Sequence, residues 1–194
     1  MVADFDDDKV LLVGEALTVP AFAELLPNPA RRHLINHVRQ SFHYRTTEVF
    51  QSCILAHAHG QIKLYCSRDY FKSGKPRTDD VLFNLADSPP CPARIYDIVK
   101  DPSPGGKIYA FVRWFYGVPR PRHYYHCSFN LYKLAKAHML TSWGLYDICC
   151  IQDHVHMVPV GGATDDRLEI IPGGPGSEPF YHNTFVPRDF ITVD

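Results

Sequence analysis

The side chains best able to do chemistry here are 11 histidines and 6 cysteines, the usual metal ligands, bases and nucleophiles. Two histidine pairs have His-x-His spacing, His57-x-His59 and His154-x-His156. Residues two apart on a β-strand share a face, so each pair can turn two ring nitrogens toward one ion. His123, His126 and Cys127 form a third cluster and Cys149-Cys150 a fourth. If any metal binds, His154 and His156 are the ligands to test. The plainer expectation is surface or hydrogen-bonded histidine, with no metal and no cofactor. A nucleophilic Cys149 or Cys150 needs a base to make its thiolate, and His154 is the nearest in sequence. Adjacent cysteines on an apolar strand point to opposite faces, which sends one of them to the core. No Gly-x-Ser-x-Gly, P-loop or dinucleotide glycine string occurs, and Gly161-Gly162 and Gly173-Gly174 read as loop glycines. No catalytic residue is assigned, and an enzyme is not the expectation.

Binding chemistry is better represented. Arg113, Trp114, Tyr116, Arg120, Arg122, Tyr124 and Tyr125 lie within thirteen residues and interleave guanidinium groups with aromatic rings. Arginine pairs with phosphate and carboxylate, and tyrosine stacks on bases, so these seven are the candidate partner-binding residues. Lys75 and Arg77 extend the same charge. The balance along the chain agrees: residues 1–60 sum to −2, 61–122 to +5 and 123–194 to −4. A basic middle between acidic ends suits an acidic partner. A net charge of −1 excludes a grossly basic nucleic-acid coat, and weak or no binding to free DNA is expected.

These residues must be held by something. Hydrophobic residues make up 45% and charged ones 21%, which excludes wholesale disorder. Sixteen prolines interrupt long helices, while 12 Phe and 11 Tyr favour pleated surfaces. Asn28-Pro29 supplies a helix start, with Leu34, Ile35 and Val38 at helical spacing, so a helix is predicted from about Pro29 to Gln40. Beyond it come short apolar runs: Val49 to Ala56, Ile62 to Cys66, Val81 to Leu85, Ala93 to Val99 and Ile108 to Tyr116. Turn residues such as Ser73-Gly74-Lys75-Pro76 and Pro102 to Gly106 separate them. Phe129 to His138 reads as a short helix, Tyr146 to Ile151 and His156 to Val160 as strands, and Ile171 to Pro179 as an irregular loop. Ala93 to Val99 and Ile108 to Tyr116 form one hairpin. In its second strand Ile108, Ala110, Val112 and Trp114 share one face, and Tyr109, Phe111, Arg113 and Phe115 the other. Two apolar faces place that strand near the centre of a curled sheet.

The string Ala93-Arg94-Ile95-x-x-Ile98, a glycine turn, and Phe111-Val112-Arg113-Trp114-Phe115-Tyr116 resembles the middle of a bromo-adjacent homology (BAH) domain. Asp80 to Phe83 falls where that family has its opening strand. Asp153 to Val160 resembles its aspartate, histidine and Val-Pro stretch, and Phe180 to Phe190 its closing aromatic strand. The resemblance spans about residues 48–190, and Phe111 to Tyr116 is its distinctive part. It implies a nuclear module that binds chromatin proteins, a nucleosome surface or a modified histone tail. Trp114 matches the tryptophan with which some members cage methyl-lysine. The family's cages also use acidic residues, whereas Arg120 follows here and Ile148-Cys149-Cys150-Ile151 lacks the usual glutamate. A Trp114 packed in the core is therefore expected. A second likeness is to barrel-like tails of fungal transposon-derived proteins, which carry no catalytic activity. The His-x-His pair also resembles the start of the cupin metal motif, although no glutamate follows it within Met157 to Gly161.

The expected fold is mostly β: a small SH3-like or BAH-like barrel with a short N-terminal helix and irregular Pro/Gly-rich loops. Residues 1–47 form an acidic N-terminus and helix, and 48–194 a barrel-like domain, in one globular unit. The expected function is a non-enzymatic protein-interaction module in a chromatin or nucleic-acid setting, its partner a protein such as a histone or nucleosome surface. The alternatives are a metal-dependent all-β enzyme of cupin type or a transposon-derived module without activity. No run approaches the ~18 apolar residues of a membrane span, and Met1 to Lys9 is acidic rather than signal-like. A nuclear or cytoplasmic protein, not secreted, is expected, with its six cysteines as free thiols.

Overall fold

The computed structural model describes residues 10–24, 28–57, 60–66, 78–86, 88–118, 131–136, 138–159 and 180–182. Its described elements are mostly antiparallel β-strands. β1 (Val10–Val13) and β2 (Leu17–Thr18) lead into the helices α1 (Val19–Ala23) and α2 (Asn28–Ser41). The strands β3 (Glu48–Phe50), β4 (Ser52–His57), β5 (Gly60–Tyr65) and β6 (Asp80–Phe83) follow. After them come the two longest, β7 (Cys91–Lys100) and β8 (Ile108–Val118). Then come β9 (Leu131–Leu134), β10 (Trp143–Asp147), β11 (Ile151–His154), β12 (Met157–Pro159) and β13 (Phe180–His182).

The strands form a small sheet in the order β1-β4-β5 and a larger one running β11-β6-β7-β8-β9-β13-β12, with β3 and β10 as further partners of β7 and β8. The β7–β8 hairpin is the spine. Its register shifts between Ile95 and Asp97, and near that point each long strand changes its outer partner. β7 pairs β6 over Cys91–Arg94 and β3 over Ile98–Lys100. β8 pairs β10 over Tyr109–Arg113 and β9 over Phe115–Val118. A bulge bends and twists the strand that carries it, which lets one hairpin serve two sets of neighbours.

The alternation expected for β8 is what separates the interior into clusters. Ala110 and Val112 enter the larger cluster with Ile95, Ile98, Phe83, Ile148 and Ile151, and Ile108 and Trp114 pack against it. Phe111 enters a second cluster with Val49, Tyr96, Val99 and Trp143, on which α2 lays Ala30, Leu34 and Val38. Those three recur at the spacing of one helix face, and the helix spans the predicted segment with one more residue at each end. Phe115 enters a third cluster with Leu134, Val155 and Met157.

Two consecutive aspartates tie strands together, Asp79 joining the small sheet to the large one and Asp80 joining β6 to β7 within the large one. Asp79 Oδ2 accepts the Tyr65 amide of β5 at 2.7 Å and lies 3.4 Å from His154 Nε2 of β11. Asp80 is forked by Arg94, Nε to Oδ1 at 2.8 Å and Nη2 to Oδ2 at 3.1 Å. Two parallel charge-assisted bonds fix orientation as well as energy.

Three local expectations are corrected. Within Phe129 to His138 the described residues contain β9, not a helix, because the exposed edge of β8 offers Phe115–Val118 as a ladder partner. Leu131 and Leu134, three apart, fit a helix face, but a short segment takes the partner the sheet offers. The strand expected from Tyr146 to Ile151 ends at Asp147. Its carboxylate accepts the Cys149 amide at 3.0 Å and starts a single 3-10 turn over Ile148–Cys150. The run from Val49 to Ala56 breaks at Gln51 into β3, which joins the large sheet, and β4, which joins the small one. Among the described residues no helix is long and apolar enough to cross a membrane.

Candidate functional site

Three strands of the larger sheet bring aromatic side chains to one corner of the larger cluster. Phe83 ends β6 and is fully buried, while Trp114 of β8 and Tyr146 of β10 are half-buried at its rim. The rings meet edge to face. Centroids are 5.4 Å apart for Phe83–Trp114, 5.9 Å for Phe83–Tyr146 and 4.9 Å for Trp114–Tyr146. Positive ring edges against negative ring faces make this the favoured aromatic geometry. Trp114 Nε1 donates to the Tyr146 hydroxyl at 3.3 Å, so the polar atoms of the two half-buried rings satisfy each other.

The corner depends on a glycine. In the β8–β10 ladder Tyr146 stands opposite Ala110 and Gly144 opposite Val112. To reach Trp114, the Tyr146 ring leans back along its own strand and lies over Gly144, where an added Cβ would fall on the ring. A glycine inside a strand commonly marks such a close approach. Asp147, next along, pairs with Lys107 at 3.3 Å, and the half-buried Cys149 and Cys150 pack against the same cluster. Burial, and then Asp147, raise the Cys150 thiol pKa, which Lys107 partly offsets. Deeper in the same cluster, burial pushes the Cys53 thiol up to about 12 and Cys66 well above its ordinary value. All five described cysteines are free thiols, and the deepest are poor nucleophiles.

The structure treats the candidate binding residues differently from one another. Tyr116 is exposed near the far end of β8. Trp114 is neither fully core, as expected, nor fully exposed. Arg113 is buried: it is 1% exposed, its Nε donates to the Ala135 carbonyl at 2.6 Å, and its guanidinium carbon lies 5.5 Å from the Trp143 ring centre. A partner cannot reach it. Arg120, Arg122, Tyr124 and Tyr125 lie outside the described residues, as do Lys75 and Arg77.

The histidine pair His154-x-His156 does not share a strand face. His154 ends β11 against Asp79, the Val155 amide donates to the Asp80 carbonyl, and His156 is exposed in the link to β12. Among the described residues, no group of three His, Cys, Asp or Glu side chains is placed to hold a metal ion. His59, His123, His126 and Cys127 lie outside them.

Sequence reasoning reached Trp114 but missed Phe83, Tyr146 and Gly144. An available signal was Gly144 itself, a lone glycine within the apolar string Trp143 to Tyr146. No protein-family model matches the chain, and no curated protein matches it in sequence.

Proposed function

We propose that this chain is a non-enzymatic protein-interaction module working in a chromatin or nucleic-acid setting, with its strands wound as a small SH3-like, BAH-like barrel. The observation that carries this reading is the Phe83–Trp114–Tyr146 corner, two of whose rings keep exposed surface at the rim of the larger cluster. Its tryptophan is the residue that the BAH likeness aligns with a ligand-contacting position. The bent β7–β8 spine, serving different neighbours at its two ends, suits a sheet that curls. Ring faces attract cations and apolar side chains alike. The partner is therefore a protein segment presenting a cationic or apolar side chain, such as a histone tail or a nucleosome surface. The three rings already touch one another, so the partner lies against their open faces rather than between them.

Titration of the full chain with histone-tail peptides, nucleosomes and duplex DNA, followed by tryptophan fluorescence and calorimetry, tests this. Saturable binding to a tail or nucleosome is expected, lost in Tyr146→Ala, with weak or no binding to free duplex. Absence of saturable binding to all three, or binding unaffected by both Trp114→Ala and Tyr146→Ala, overturns it.

A further inference from the structure

Neither the proposed function nor any disulfide uses the adjacent cysteines between β10 and β11. On a strand Cys149 and Cys150 would point to opposite faces, but they lie in the single 3-10 turn Ile148–Cys150. At three residues per turn, neighbouring side chains stand about 120° apart rather than opposed. Both cysteines pack against the larger cluster, and both are only half-buried. The turn is held at each end. Asp147 Oδ1 accepts the Cys149 amide at 3.0 Å, Ile148 is fully buried, and the Cys150 carbonyl accepts the Asn84 amide at 2.8 Å.

Adjacent Cα atoms lie about 3.8 Å apart, closer than the roughly 4.4–6.8 Å that disulfides span, so closing this pair on itself stores strain. A third atom between the sulfurs enlarges the ring and relieves it. We propose that Cys149 and Cys150 form a two-thiol capture site for a trivalent organoarsenical, whose arsenic bridges the two sulfurs. An oxide R–As=O condenses with the pair: two As–S bonds form, two S–H bonds and the As=O bond break, and both protons leave with the oxygen as one water. Nothing is oxidised or reduced. The first As–S bond makes the second intramolecular, and that effective concentration gives the pair its advantage over a single thiol.

The surroundings favour this ligand over a metal ion. A metal takes its sulfurs as thiolates, and burial, followed by Asp147, raises the Cys150 pKa, with Lys107 offsetting part of the rise. The arsenical product is uncharged and suits a half-buried place against apolar side chains. Among the described residues no third His, Cys, Asp or Glu joins the pair in a metal-binding group. The other described cysteines serve as controls. Cys91 is half-buried, has no cysteine beside it in sequence, and donates from Sγ to the Pro89 carbonyl at 3.1 Å, while Cys53 and Cys66 are buried.

Phenylarsine oxide added to the full chain, after reduction with a phosphine and desalting, tests the site. Intact-mass titration should show one phenylarsenic group per chain, removed by 1,2-ethanedithiol but not by a monothiol at the same thiol concentration. Alkylation after loading reads the site without any substitution: Cys149 and Cys150 should be spared and Cys91 labelled. Cys149→Ser and Cys150→Ser should each weaken uptake about a hundredfold or more, with a native near-ultraviolet dichroism, and Cys91→Ser should leave it unchanged. Three results overturn the proposal: no saturable one-to-one uptake by the native chain, alkylation of Cys149 and Cys150 undiminished after loading, or uptake weakened as much by Cys91→Ser as by the other two substitutions.

Discussion

The two tryptophans of this chain sit on neighbouring strands, one register step apart, and have different surroundings. Trp143 pairs with Arg113 in the ladder and is 3% exposed, enclosed by His33, Tyr96, Phe111 and the Arg113 guanidinium. Trp114, the next residue along β8, points to the other face, where Phe83 and Tyr146 support it and part of its surface stays open. One face is covered by a helix, and on the other Trp114 and Tyr146 stay only partly buried at the edge of the larger cluster. Burial, not aromatic character, separates a ring that holds the fold from one that can meet a partner.

The largest expected effect is on the closed side. Trp143→Ala removes a fully packed ring from a stack and leaves Arg113 without its aromatic neighbour, so unfolding stability should fall by ~3–5 kcal/mol in urea melts. Trp114→Ala should cost less, ~1–3 kcal/mol, because part of the ring is already in water, and it should abolish partner binding while the fold persists. Equal losses for the two would erase the distinction.

A smaller effect tests the corner by itself. Gly144→Ala places a methyl where the Tyr146 ring lies, so the ring must swing away from Trp114. We expect a stability loss of ~1–2 kcal/mol, an altered near-ultraviolet dichroism and weakened binding, with α2 still docked. A spectrum and affinity like those of the native chain would mean that the Tyr146–Trp114 contact does not shape the site.

The smallest effect grades depth behind Trp114. With a folded-state value of about 12, Cys53 holds roughly one part in ten thousand as thiolate at about pH 8. Alkylation of the native chain should therefore spare Cys53 and Cys66 while labelling the half-buried Cys91, Cys149 and Cys150, without loss of stability. Early labelling of Cys53 would show that the interior opens from this side.

Much of the frame was legible because its signals are local. The period-two pattern from Ile108 to Phe115 assigned side chains to two faces, and those faces line separate clusters. The Asn28-Pro29 start and the apolar spacing of Leu34 and Val38 located α2. The failures share a different cause. Arg113 reads as a surface contact by type, yet the Ala135 carbonyl and the Trp143 ring, supplied by distant segments, make its burial tolerable. β9 carries helix-like spacing but was recruited by an unfilled strand edge.

The sequence by itself determined the strand-rich character, the hairpin spine, the alternation of its faces and the helix that covers one of them, since periodicity and turn chemistry are written in neighbouring residues. Only the tertiary structure decided which rings meet. Phe83, Trp114 and Tyr146 come from β6, β8 and β10, and Gly144 matters only because a particular ladder register lays the Tyr146 ring across it. Register and strand order arise from long-range pairing, in which a one-residue slip would exchange every inward side chain for an outward one. That is why the corner was invisible until the sheet was assembled.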